Sequence, residues 1–124
     1  MPMVTTTDID QFTEECNAWR EALRSQREEF NRMKNELQEA SAHITSKESL
    51  KAVEHYQNQF DIQLSNIHDV KQSIKMYAKM CALQPAGDDI MLSEHERIAS
   101  DYNDLQRTLQ ELKHEFRQFL ISYS

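Results

Sequence analysis

From Met91 to Tyr123 the chain sets an apolar side chain at alternating steps of four and three residues: Met91, His95, Ile98, Tyr102, Leu105, Leu109, Leu112, Phe116, Phe119 and Tyr123. Only His95 in this series is not a full hydrophobe. A mean step of about 3.5 residues holds one stripe on one side of a helix and lays it lengthwise against other helices. A strand, whose side chains repeat every second residue, cannot carry such a stripe. The positions between are charged or amide residues, among them Glu94, Arg97, Gln106, Arg107, Glu111 and Lys113. A helix this long exposes its stripe to water unless helices of similar length cover it, so the rest of the chain has to supply them.

It does so twice. Ile9, Phe12, Cys16, Trp19, Leu23, Gln26, Phe30, Met33, Leu37, Ala40 and Ile44 follow the same alternation, with one polar interruption at Gln26. Glu15, Glu29 and Glu36 lie on one side of this seam and Arg20, Arg27 and Lys34 on the other, the arrangement by which flanking charge selects partner and orientation. Thr7 is placed to cap this helix, with Asp8 and Asp10 in the first turn where acids favour a helix N-terminus. A further seam, Val53, Phe60, Ile67, Ile74 and Cys81, is flanked by Tyr56, Val70 and Tyr77 on one side and by Leu50, Leu64 and Ala78 on the other. That wider apolar face suits a helix with a neighbour on each side. Thr45 followed by Glu48 has capping-box spacing and marks the first turn. Gln84-Pro85-Ala86-Gly87-Asp88-Asp89 holds the single glycine and the single internal proline, and marks the second. The third helix starts either at Asp89 or at Ser93, which has Glu96 three residues on.

The seams also fix a register. Pairing Ile9, Cys16, Leu23, Phe30 and Leu37 with Cys81, Ile74, Ile67, Phe60 and Val53 keeps the sum of residue numbers constant and puts its midpoint at Thr45. Pairing the same middle residues with His95, Tyr102, Leu109, Phe116 and Tyr123 puts the midpoint beside Gly87. The expected fold is all-α, an elongated up-down-up antiparallel three-helix bundle of the left-handed coiled-coil kind. A flexible tail of residues 1–7 precedes one domain, 8–124, with helices over about 8–43, 46–84 and 89–123, each on the order of 50 Å long. Trp19, Phe30, Phe60 and Phe116 are the expected core anchors, the three phenylalanines at one level. Trp19 is expected to be buried in a layer with Lys71 and Leu105, Gln26 lies with Leu64 and Leu112, and Met33 with Gln57 and Phe119. No stop signal precedes Tyr123, so the end of the chain reads as a cut through a helix.

Catalytic chemistry is not legible here. A chain of 124 residues makes one domain, and a formal net charge of −7 argues against nucleic acid or an anionic membrane as partner. No apolar run approaches the roughly 20 residues that span a bilayer, so direct membrane insertion is not expected. Cys16 and Cys81 read as buried free thiols of a reducing, cytoplasmic compartment. A single glycine excludes phosphate-cradling loops. His43, His55, His68 and His114 lack a second zinc-type ligand at short helical spacing, and His95 with Cys81 makes two ligands, too few for a closed site. Glu111-x-x-His114 is the one match to a carboxylate di-metal motif, and both residues fall off the seam. Glu14 and Glu15 beside Cys16 disfavour a thiolate nucleophile. The expectation is a protein that is not an enzyme, with no cofactor, metal or small-molecule substrate. Ile62, Met76 and Leu83, spaced by sevens on the outer side of the second helix, form a candidate protein-docking stripe.

With three long helices in hand, the chain resembles a spectrin repeat, the helical unit strung in arrays in spectrin, dystrophin, spectraplakins and nesprins. Ile9 followed by Trp19 resembles the first-helix pattern, Gln57 to Leu64 the second-helix run, and Ile98, Tyr102, Leu105, Leu109 and Leu112 the third, with Leu109 where the family's usual Trp stands. The resemblance spans Asp8 to Tyr123. It implies a spacer, scaffold or protein–protein interaction repeat of a cytoskeletal or cytoskeleton-to-membrane linker, associated with the cytoskeleton and partnered by adjacent repeats and other proteins. A free-standing three-helix regulatory domain like the N-terminal domain of syntaxins is the alternative.

Overall fold

The computed structural model of the chain describes residues 6–83 and 89–122. They form three helices and, among the described residues, no strand: α1 (Thr6–Ser41), α2 (Lys47–Leu83) and α3 (Asp89–Ile121). At 36, 37 and 33 residues they match one another in length, as the seams require. Contacts between Glu15 and His95, Gln26 and Gln106, and Glu36 and Arg117 rise together in number, so α1 and α3 point the same way. Phe60 with Phe116 and Tyr77 with His95 run oppositely, so α2 is reversed against α3.

Helix ends differ from expectation in ways that local hydrogen bonding explains. α1 starts at Thr6, ahead of the expected cap at Thr7, whose side chain lies outside the described residues. It stops at Ser41, where the His43 and Ile44 amides close tight turns on the Ala40 and Ser41 carbonyls (3.1 and 3.2 Å). The cap of α2 is Ser46 and not Thr45. Its Oγ accepts the Ser49 amide at 3.2 Å, satisfying one of the free N–H groups of the first turn. Glu48 consequently sits one position earlier than a capping box needs, where its charge still favours the helix N-terminus. α3 begins at Asp89 and not at Ser93, and after Ile121 the Ser122 hydroxyl and amide both reach the Phe119 carbonyl (2.6 and 3.2 Å). The expected tail before Thr6, the turn at 84–88 and Tyr123 lie outside the described residues.

The core is one continuous column. Ile9, Cys16, Leu23, Phe30 and Leu37 from α1, Val53, Phe60, Ile67, Ile74 and Cys81 from α2, and Met91, Ile98, Leu105, Leu109, Leu112 and Phe116 from α3 are buried together. Each fully buried side chain of this size is worth roughly 1.5–3 kcal/mol. At mid-height the Phe60 ring meets Phe30 at 5.8 Å and Phe116 at 4.9 Å, both edge to face, the arrangement aromatic quadrupoles favour. Tyr56 adds a further ring against Phe116 and Phe119 (5.6 and 5.0 Å).

Two expected layers are corrected. Trp19 is only half-buried, and the rings beside it are His95 and Tyr102 of α3 at 5.2 and 5.6 Å. α1 and α3 approach each other least, so this row of α1 faces a gap that only large side chains bridge. Lys71 lies on the other side of α1, in the α1–α2 groove, and not over the indole. Gln26, expected beside Leu64 and Leu112, instead exchanges two amide hydrogen bonds with Gln106, one of them at 2.8 Å. Gln63 is a buried amide, where Gln26 and Gln106 are half-buried, and accepts from Asn66 at 3.2 Å.

Phe60→Ala removes the ring that both other phenylalanines touch, and is expected to cost about 3–5 kcal/mol in urea unfolding. Double-mutant cycles for Phe30 with Phe60 and Phe60 with Phe116 should each show coupling of about 0.5 kcal/mol or more, and additivity in both would refute this level. Gln26→Leu strands the Gln106 amide and should destabilise by roughly 1 kcal/mol, with Gln26→Leu/Gln106→Leu recovering most of the loss. An equally unstable double variant would show that the amide pair is not what matters.

Candidate functional site

The three residues of the expected docking stripe are on the open side of α2. Ile62, Met76 and Leu83 are 49, 71 and 82 % exposed, so none belongs to the core. They do not form one stripe, because Asp69, itself exposed, occupies the matching position between Ile62 and Met76. Met76 and Leu83 lie two turns apart, about 10 Å, and Ile62 stands about 21 Å from Met76 along the helix. Of these three residues, Met76 and Leu83 are close enough to act together and Ile62 stands apart from them. Of the four expected core anchors, Phe30, Phe60 and Phe116 are buried at one level and Trp19 is a flanking residue.

A second polar constellation gathers where α3 begins. His95 is buried with its ring stacked on Phe12 at 4.0 Å and close to Trp19 and Tyr77. Its Nε2 lies 2.7 Å from Glu15 Oε2, while its buried Nδ1 has no partner among the described residues. The Tyr77 hydroxyl is also buried without a hydrogen-bond partner among the described residues, with the Cys81 thiol nearby. Burial pushes the Cys16 thiol from 9.0 up to about 11, helped by neighbouring Cys81 and Glu15. Burial likewise raises the Tyr77 phenol, and the Cys81 thiol adds to it. A thiol held neutral in this way is a poor nucleophile. The sequence marks His95 as the one polar residue in its stripe and Glu15 as part of the acidic side of the first seam, but which helix that side faces, and so the pairing, comes from the structure. Among the described residues no group of three or more His, Cys, Asp or Glu side chains could hold a metal ion.

Charge across the helix interfaces is sorted. Glu15, Glu29 and Glu36 meet His95, Lys113 and Arg117 of α3 at 2.7, 3.2 and 2.8 Å. On the other side of α1, Lys34 meets Asp61 of α2 at 2.6 Å. The acidic side of the first seam therefore faces α3 and its basic side faces α2. The surface between α2 and α3 is acidic, with Asp69, Asp101 and Asp104 lining a shallow depression of about 280 Å³. Among the described residues no helix is long and apolar enough to cross a membrane.

No protein-family model, curated protein or solved structure matches this chain. What the molecule does has to be argued from its own surfaces.

The buried thiol and phenols give the fold a defined response to alkali. Cys16, Tyr77 and Tyr102 ionise at higher pH folded than unfolded, all through burial, so the folded chain holds its protons longer. The stability they contribute is complete below about pH 9 and is lost as pH rises through the folded values. Urea midpoints should therefore fall between about pH 9 and 11. Tyr77→Phe, which deletes a buried hydroxyl with no hydrogen-bond partner among the described residues, should leave stability at neutral pH unchanged or raise it by up to about 1 kcal/mol, and should flatten the alkaline slope. A steeper slope in that variant would contradict the account.

Proposed function

We propose that the chain is a structural spacer and protein-interaction repeat, one unit of a longer cytoskeletal or cytoskeleton-to-membrane linker, with no enzymatic activity of its own. The observation that carries the reading is the unbroken core column, from Ile9 to Leu37, Val53 to Cys81 and Met91 to Phe116. Such a column makes a stiff rod of about 50 Å whose length is set by helix geometry. Its two ends lie far apart, which suits a unit that holds neighbours at a distance. The resemblance of Ile9, Trp19, the Gln57–Leu64 run and the third seam to spectrin repeats points the same way. Its natural partners are adjacent repeats and other proteins, and its natural place is the cytoplasm beside the cytoskeleton.

A second reading, a free-standing regulatory domain like that of syntaxins, is favoured by one feature: Met76 and Leu83 offer an exposed apolar patch on which a partner helix could lie.

Thermal melting separates the two readings. The chain is compared with a longer fragment that includes the residues encoded after Ser124. Repeat membership predicts a higher Tm and additional helical circular dichroism, because a continuing helix satisfies the carbonyls at the end of α3. An unchanged Tm favours the free-standing domain.

A further inference from the structure

The sorting of charge fails at one place. Around Lys34 the α1–α2 groove pairs a cation with an acid, but nearer the other end Arg20 and Arg24 of α1 face Lys71 of α2. With Asn17 and Glu21 they line an open depression of about 290 Å³. The one carboxylate there, Glu21, is held by Arg24 at 2.5 Å. Arg20, Arg27 and Lys71 make no ion pair among the described residues, although the chain carries a net charge of −7. Lys71 is crowded enough that burial, then Arg27, Arg20 and Arg24, draws its ammonium below the usual lysine range. Like charges facing each other across a helix interface are unfavourable for folding, and breaches of this kind concentrate where a protein binds something.

We propose that this groove binds an acidic segment of a partner protein, its carboxylates pairing with Arg20, Arg24, Arg27 and Lys71. The layout distinguishes a peptide from a small phosphate ligand. Arg20 and Arg27 are separated by two helical turns, about 10 Å, so the cations are strung along the groove and do not converge on a point. The site lies at mid-helix, where backbone N–H groups are already bonded and none is free to cradle an anion. Arginine forks pair side-on with carboxylates. A partner helix with acids three, four and seven residues apart repeats the spacing of Arg20, Arg24 and Arg27. The proposal rests on the interaction role proposed above and not on array membership, so the melting comparison and the experiment below can fail separately.

The probe is a capped alanine-based helical peptide with four glutamates at that spacing, titrated into the isotopically labelled chain and followed by NMR. The expected result is binding at low salt that weakens at about 0.5 M salt, with shifts confined to α1 around Arg20–Arg27 and to α2 around Lys71. A glutamine version of the peptide should not bind. Lys71→Glu should weaken binding by about tenfold or more, while the Tm of the free chain is kept or raised because the new carboxylate meets Arg20 and Arg27. Arg27→Gln should weaken binding with the helical signal unchanged. Equal binding of both peptides, shifts elsewhere, or indifference to Lys71→Glu overturns the proposal. Inorganic phosphate binding more tightly than the peptide overturns the peptide assignment. Self-association of the chain alone that Lys71→Glu abolishes assigns the groove to a second copy, through its Asp69, Asp101 and Asp104 face, and overturns a separate partner.

Discussion

The contact of Phe60 with the rings of Phe30 and Phe116 sets the height of all three helices at once. Everything above and below follows in steps of a heptad: Ile67 and Ile74 toward one end, Val53 toward the other. A hydrophobic seam alone would tolerate a slide by a whole heptad, because every seven residues the stripe meets itself again. The rings remove part of that freedom, since no other level offers three phenylalanines. The polar pairs remove the rest. A seven-residue slide would separate Glu15 from His95, Gln26 from Gln106 and Lys34 from Asp61 together. Burial of apolar area holds the bundle together, and a few oriented contacts decide which bundle it is.

The ion pairs matter through this choice and not through their strength. Exposed pairs are worth about 0–1 kcal/mol each, little beside a core column of this size. Their value lies in their sign pattern: acids of α1 toward α3, cations toward α2. Exchanging the positions of α2 and α3 around α1 would put Glu29 and Glu36 against Asp61 and would move Lys34 away from its partner. Sorted charge thus acts against the wrong arrangement more than it adds to the right one.

Much of this is legible in the sequence. The three seams located all three helices, and the Phe60 contacts with Phe30 and Phe116 fall where the residue numbering put them. Where the structure departs from the sequence pattern, the causes are local. Thr45 and Ser46 are both good caps, and only the backbone decides between adjacent hydroxyls; the structure uses Ser46. A stripe does not say which of its two rows faces the narrower gap; here the Cys16 and Leu23 row is central, while Phe12, Trp19 and Gln26 of the other row are flanking and only its Met33 is fully buried. A two-dimensional register sets Gln26 beside apolar neighbours and cannot foresee an amide reaching Gln106. The basic groove was half visible, in Arg20 and Arg27 on one side of the first seam. That Lys71 and not an acid stands opposite them depends on the α1–α2 face, which periodicity alone treats as interchangeable.

The compromises of the fold lie near one end. Inside, Tyr77 and His95 each bury a polar atom that has no partner among the described residues, beside the neutral thiol of Cys16. Outside, one turn beyond Cys16, Arg20 faces Lys71 across the groove. Neither cost appears at the Phe60 level, where the buried side chains are apolar and the rings pack edge to face. Free energy of opening is uneven in such a molecule, lowest where unsatisfied and repelling groups accumulate and highest in the apolar middle. A ligand stabilises whatever conformation it binds, and an acidic segment laid on Arg20 and Lys71 neutralises the repulsion at this weaker end. Binding there would stiffen the part of the rod that is loosest without it, so the same groove that recognises a partner would also govern how firmly the helices hold at that end.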